Sequence, residues 1–343
     1  MIRILFIVLF WIALAIPLAA QKTAVLIGIS KYPPQSGWRT INAHNDLALI
    51  KNKLDNTSWD VKVLENEAAT HQGIINLLDH IAKTASPGDT IFIHFSCHGQ
   101  QMVPLKKDTN SEPDLLDEAL VPYDAIKQWS SSYDGHNHLR DDELSAHVNR
   151  IRNKVGASGF VIVALDACHS DSMERGDEDN SKDNLTILRG TSDIFGDSII
   201  VDSLIKNRYK RDTSKITIDN NSDVVYISAC QSHSENSEIV LNGKGYGSLS
   251  YSIANAINNG GLKNTTAFLD HVVIMMDSLV GERGQKPGIR ASFIYTRPNF
   301  NNNEENKSPP DKTTNNEQHH HTNYMLIAAF ALLAILIWRI IKK

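Results

Sequence analysis

Apolar residues are spread unevenly along this chain. Two unbroken apolar runs, residues 4–20 and 325–338, bracket a body in which apolar stretches are short and separated by polar ones. Within the body, residues 23–30 (TAVLIGIS), 90–96 (TIFIHFS), 159–167 (GFVIVALDA) and 223–230 (DVVYISAC) are mostly apolar without alternation. Such runs predict strands covered on both faces. Residues 59–65 give a weaker strand signal and 292–296 a last one. Between these runs the spacing turns helical. Ile74, Leu77, Leu78 and Ile81 share a face over 70–82, with Thr70 placed to cap the helix. Leu144, Val148 and Ile151 do the same over 142–152, and further helices are expected over 248–258 and 267–280. Strands alternating with helices predict an α/β body with a mostly parallel sheet and helices on both faces. The chemistry of such sheets gathers beyond the carboxyl ends of the strands. Residues 172–221 break the alternation with a polar insert, densely charged over 177–184.

The two outer runs bear on location. Arg3, the apolar stretch after it and the small residues Ala19 and Ala20 form the three-part secretory signal pattern, so residues 1–20 are expected to be removed; an uncleaved anchor is the alternative. Residues 324–341 would rise roughly 27 Å as a helix, close to the ~30 Å of a bilayer core. Arg339, Lys342 and Lys343 follow, the positive side expected in the cytoplasm. Residues 299–323 hold one aromatic residue, Phe300, and are otherwise polar, which predicts a flexible stalk. The expected order is therefore a signal peptide (1–20), a folded body (21–298), the stalk, a membrane helix (324–341) and a cytoplasmic tail (342–343). That places the body on the non-cytoplasmic side: periplasmic, extracellular or lumenal.

Composition narrows the chemistry. The chain has 343 residues, with Lys+Arg 34 against Asp+Glu 39 and a net charge of −5. No basic face is implied, which argues against a nucleic-acid partner. Three widely spaced cysteines exclude a disulfide framework and a zinc site built of cysteines alone.

Two predicted strand ends carry reactive groups. One reads Ser96-Cys97-His98-Gly99-Gln100, the other Asp166-Ala167-Cys168-His169-Ser170. A cysteine nucleophile needs a base to draw off its proton, and histidine is the usual partner. Adjacent parallel strands would bring His98 and Cys168 together, and the backbone N–H groups of Gly99 and Cys168 could form an oxyanion hole. A buried structural cysteine is the competing reading.

These blocks resemble the caspase-like cysteine peptidases, in particular the metacaspase branch. Residues 95–99 are similar to the family's Ser-Gly-His-Gly block and 166–170 to its Asp-x-Cys-His-Ser block. Residues 24–30 with Tyr32, 42–46 with 49–54, 68–74, 227–230 and 246–255 carry the rest of the likeness, which covers about 22–297. The resemblance implies a three-layer α/β/α sandwich. It implies an endopeptidase that cuts proteins or peptides after Arg or Lys, with Cys168 as nucleophile and His98 as general acid/base. It also implies an S1 pocket floored by Asp166 and lined by Asp46 and Ser96; helix capping is the other reading of Asp46. Calcium is the cofactor the family suggests, through Asp141 and Asp142, but a further acidic position of the family is Arg175 here. Cys97 and Asp171 stand where the family has glycine. These departures keep open a catalytically silent binding domain, and an acyl-transfer ligase would share the same thioester chemistry. Self-processing is expected in the insert, where Lys206-Asn207-Arg208-Tyr209-Lys210-Arg211 offers basic P1 residues.

Overall fold

Period-2 alternation sends successive strand side chains to opposite faces of a sheet. In the computed structural model of the protein, both faces are apolar and both are covered. The structure describes residues 20–55, 57–104, 116–168, 187–206, 221–231, 235–258 and 264–298. The central sheet has six strands in the order β11-β8-β7-β3-β1-β2. They are β1 (Lys22–Gly28), β2 (Trp59–Glu65), β3 (Thr90–Ser96), β7 (Phe160–Asp166), β8 (Asp223–Ser228) and β11 (Gly288–Ala291). All pairs are parallel except β11 with β8.

One face receives Val25, Ile27, Ile93, Phe95, Val161 and Val163. Helix α2 (His71–Thr84) covers it with Ile74, Leu78 and Ile81, and α3 (Asp141–Val155) with Leu144, Val148 and Ile151. The opposite face receives Ala24, Leu26, Phe92, Ile162 and Ala164. It packs on Leu47, Ile50 and Leu54 of α1 (Ala43–Asp55), on Ile253 of α5 (Ser248–Asn258) and on Phe268 and Val272 of α6 (Thr265–Val280). The result is the expected three-layer sandwich. Thr70 caps α2 by accepting a hydrogen bond from Gly73 N at 3.1 Å.

Some elements depart from the sequence reading. The last strand is β11 at Gly288–Ala291, not 292–296. Phe293 and Tyr295 still pack against the core without pairing, and their alternation imitates a strand. A small sheet of β4 (Gly99–Met102), β5 (Asp117–Leu120) and β6 (Leu139–Arg140), and a hairpin of β9 (Glu238–Leu241) and β10 (Lys244–Gly247), were not anticipated. Within the insert, α4 occupies Ser198–Lys206. The signal, stalk and membrane-helix expectations fall on residues 1–19 and 299–343, outside the described residues. Among the described residues no helix is long and apolar enough to cross a membrane.

Candidate active site

β3 and β7 are central neighbours, in a register that sets Ser96 opposite Asp166. Two residues beyond each, the chain leaves the sheet at His98 and Cys168. The topology thus brings the two reactive groups to one edge across 70 residues of sequence.

His98 is buried and held from several sides. Its ring stacks on Trp38 with centroids 5.0 Å apart, and its backbone N–H donates to Tyr32 Oη at 3.2 Å. Nε2 lies 2.9 Å from Arg39 O. A carbonyl only accepts, so the neutral ring carries its proton on Nε2 and leaves a lone pair on Nδ1. Nδ1 is buried and has no hydrogen-bond partner among the described residues. Burial pushes the ring down to about 4, opposed by the Arg39 contact and reinforced by Arg189 and Lys127. A neutral imidazole with one unpartnered nitrogen can accept a proton, and a thiolate formed nearby would raise its basicity against the effect of burial.

The pocket beside this pair is filled by the chain itself. Residues 187–189 pair with 236–238, the stretch leading into β9: Arg189 N donates to Asn236 O at 3.0 Å and Glu238 N to Ile187 O at 2.8 Å. Leu188 bridges Ser237 in antiparallel register, and Gly190 bridges Gly99 in parallel register. The carbonyl of Arg189 accepts from Gly99 N at 3.1 Å and from Cys168 N at 3.0 Å. Both backbone groups expected to form the oxyanion hole therefore grip one peptide carbonyl.

The Arg189 side chain is fully buried among acids. Nη2 lies 2.7 Å from Asp46 Oδ2 and 2.9 Å from Glu238 Oε1; Nη1 donates to Ser96 Oγ at 2.7 Å and lies 3.5 Å from Asp166 Oδ1. Around it the acids are tied down. Asp46 accepts from Gly247 N at 2.9 Å and Ser96 Oγ at 2.8 Å. Asp166 accepts from Asn236 Nδ2 at 2.8 Å and from Ser250 N and Oγ at 2.8 and 2.6 Å. Burial pushes the Asp46 carboxyl up to about 6 against the pull of Arg189. For Asp166, burial works upward too, but Arg189 and the Ser250 and Asn236 hydrogen bonds outweigh it and hold the group below its usual value. Burial opposes the charge on Arg189, and the three carboxylates, Asp46 foremost, more than restore it. Glycine is required at two walls. A Cβ on Gly247 would stand 2.1 Å from Asp166 Oδ2, and one on Gly190 would stand 2.2 Å from Cys168 O.

Asp46, Ser96 and Asp166 thus meet in one pocket, and Asp46 sits in the first turn of α1 without serving as its cap. The sequence reading missed Glu238, Gly247, Ser250, Asn236, Trp38 and Arg189. His94 reaches Ser250 Oγ through Nε2 at 2.9 Å, and its buried Nδ1 has no hydrogen-bond partner among the described residues. Cys97 is buried, and burial raises its thiol to about 12, which leaves it inert. His169, Asp171 and Arg175 lie outside the described residues.

The profile of the caspase domain matches residues 21–296. The chain belongs to the caspase-domain family. Curated relatives set this caspase domain on the metacaspase branch. Metacaspase-1 of Saccharomyces cerevisiae is 28% identical over 45% of this chain and 34% of its own length. Metacaspase-1 of Plasmodium falciparum is 30% identical over 44% of this chain and 24% of its own. Metacaspase-1 of Eremothecium gossypii is 24% identical over 79% of this chain and 64% of its own. The chain therefore spans about a third or less of the length of the first two, and under two thirds of the third. A crystal structure of a Geobacter sulfurreducens protein has a TM-score of 0.53 at 21% identity, over 81% of this chain and 95% of that one; it shares the fold.

The calcium suggested by the family finds little support in the caspase domain's own donors. Asp141 and Asp142 sit in the first turn of α3, and burial, with Asp142, Glu118 and Asp117 nearby, pushes Asp141 up to about 6. Asp117 is engaged by Arg140. The described residues hold no group of three or more His, Cys, Asp or Glu side chains placed to bind a metal, whereas calcium takes six to eight oxygens. Among the described residues the donors are too few for calcium, and the proposed mechanism uses none.

Proposed function

We propose that the protein is a cysteine endopeptidase that cuts after arginine or lysine, and that its own Arg189–Gly190 bond is the first it meets. The seating of Arg189 supports this reading. One residue has its guanidinium among three carboxylates and its carbonyl oxygen on the two N–H groups beside the cysteine. That combination is what a P1 arginine would adopt on the way to acyl transfer.

In this mechanism Cys168 Sγ attacks the P1 carbonyl carbon as its proton passes to His98 Nδ1. The negative charge forming on the carbonyl oxygen is held by Gly99 N and Cys168 N. His98 returns the proton to the departing amine, leaving a thioester. Water, deprotonated by His98, then releases the acid and restores the thiol. The pocket of Asp46, Asp166 and Glu238 selects for a cation, and Arg matches it better than Lys because its fork reaches two acids at once. Export and membrane anchoring stay part of the proposal, resting on the apolar runs at 4–20 and 325–338.

The test is turnover of fluorogenic peptides that differ only at P1. Arg is expected to exceed Lys and both to exceed Asp by far, with no turnover in Cys168→Ala. A preference for Asp overturns the specificity. Absence of any cleavage, in cis or in trans, favours the silent binding domain.

A further inference from the structure

The mechanism uses one sulfur, but a second lies against it. Cys168 follows β7 and Cys230 follows β8, the neighbouring parallel strand. The pairing continues past the last regular pair, since Ala229 N donates to Leu165 O at 3.0 Å. It carries Cys230 Sγ to 4.0 Å from Ala167 O and 3.6 Å from Cys168 Sγ. The register sets Cys230 opposite Ala167, one residue before Cys168, and the two sulfurs approach each other directly, with the ~2.05 Å of a disulfide bond left to close to. The two thiols are therefore one side-chain adjustment from a bond, and both are buried. Cys97 is the internal contrast. It packs in the core on the α2 and α3 face of the sheet, and no described contact joins it to another sulfur.

We propose that Cys230 is a resolving cysteine that captures an oxidised Cys168 as a reversible intramolecular disulfide. The oxidant is a peroxide. Hydrogen peroxide transfers one oxygen to the Cys168 thiolate, giving a sulfenic acid and hydroxide. The Cys230 sulfur then attacks the Cys168 sulfur; its proton and the sulfenic hydroxyl leave as water, and the S–S bond forms. Overall, two thiols and one peroxide give one disulfide and two waters. A dithiol reductant returns both thiols by exchange. Contact with Cys168, together with burial, pushes the Cys230 thiol well up. Cys230 thus stays protonated while Cys168, the sulfur whose proton passes to His98 in the proposed mechanism, is oxidised first. Without a neighbour, an oxidised nucleophile goes on to the irreversible sulfinic acid. The pair would protect a peptidase exported to an oxidising compartment by switching it off instead of destroying it.

The test treats the reduced full-length chain with graded hydrogen peroxide, blocks remaining thiols with iodoacetamide and maps peptides without reduction. The expected product is a cross-linked peptide pair containing Cys168 and Cys230, with Cys97 alkylated. Turnover is expected to fall with cross-linking and to return on adding dithiothreitol. In Cys230→Ser, with each protein normalised to its own reduced activity, the recoverable fraction is expected to be lost and Cys168 to gain two oxygens. A cross-link involving Cys97, or a Cys168 sulfinic acid with Cys230 still alkylated in the wild type, overturns the proposal. So does full recovery of Cys230→Ser. Peptide mapping reads the bond whether or not the chain turns over substrate, so a failed disulfide and a failed peptidase reading give different results.

Discussion

Replacing Arg189 by alanine tests the central claim, that residues 187–190 are seated as a substrate. The guanidinium contacts Asp46, Glu238 and Ser96 at 2.7, 2.9 and 2.7 Å, with Asp166 at 3.5 Å, all without water access. Removing one side of a buried ion pair typically costs about 3–5 kcal/mol. The backbone bonds to Asn236 and from Glu238 survive, so the loss falls on how often the segment is seated, and self-cleavage scales with that fraction. At 1.36 kcal/mol per decade, cutting at Arg189–Gly190 should slow roughly a hundredfold to several-thousandfold. Arg189→Lys should fall between, since one ammonium cannot reach two acids with the fork of a guanidinium. The fold has a way to tolerate the alanine. Asp46 already titrates at about 6 and is held down partly by Arg189, so without that cation it takes up a proton. A thermal melt alongside the kinetics checks this.

The assay follows purified chains on denaturing gels, with mass spectrometry of new N-termini. Wild type should generate a terminus at Gly190, with a first-order rate independent of protein concentration, because the segment is held in cis. Cys168→Ala should generate none. If Arg189→Ala is cut at the same bond at the wild-type rate, the pocket does not recognise Arg189. A rate that grows with protein concentration would mean that one chain cuts another and that the seated segment is not the substrate. Cutting confined to 206–211 would restore the earlier expectation; residues 207–220 are outside the described residues.

Four further outcomes are expected. Asp166→Asn should lower kcat/KM for P1 Arg peptides by a hundredfold or more, since a buried charge pair broken on one side loses about 3–5 kcal/mol; equal turnover of Arg peptides would remove Asp166 from S1. Gly247→Ala should block the pocket by driving a methyl group onto Asp166 and Arg189, seen as lost cleavage in a chain whose melt is retained. Gly190→Ala should slow self-cleavage while P1 Arg peptides are still cut in trans, because its Cβ collides with Cys168 O only when the segment is seated. In denaturant titrations of Cys168→Ala, the buried, neutral His98 should contribute stability that is full above its ordinary value of 6.5 and is lost as pH falls toward about 4; His98→Phe should flatten that part of the pH slope.

The edge that carries the candidate site was legible because it depends on strands that announce themselves. Residues 90–96 and 160–166 are mostly apolar runs, each ending in a polar block, and the pairing of neighbours was enough to bring His98 and Cys168 to the same end of the sheet. Asp46, Ser96 and Asp166 were reachable through the family likeness. Glu238 and Gly247 were not. They belong to a short hairpin whose β10 reads Lys244-Gly-Tyr-Gly, with no apolar pattern, and their value lies in what they touch across the sheet. Basic residues were weighed by number, which favoured the cluster at 206–211. Arg189 is a single arginine, and its importance comes from the antiparallel pairing of 187–189 with 236–238, a long-range contact invisible to local periodicity.

Under the proposed function, the same pairing draws specificity and restraint from one set of charges. Three buried carboxylates around an empty pocket would repel one another in a medium that screens them poorly. The folded chain relieves this in two ways seen together: Asp46 moves toward its neutral form, and Arg189 supplies a cation. On the proposed function, a substrate in trans would have to displace an arginine already bonded at both its guanidinium and its carbonyl. Once Arg189–Gly190 is cut, only the P1 side remains attached to β9, and the strand loses the bridge from Gly190 to Gly99 that anchored its far end. In the proposed mechanism the seat then becomes exchangeable, and the acids that held the chain's own arginine are free to take up the next one.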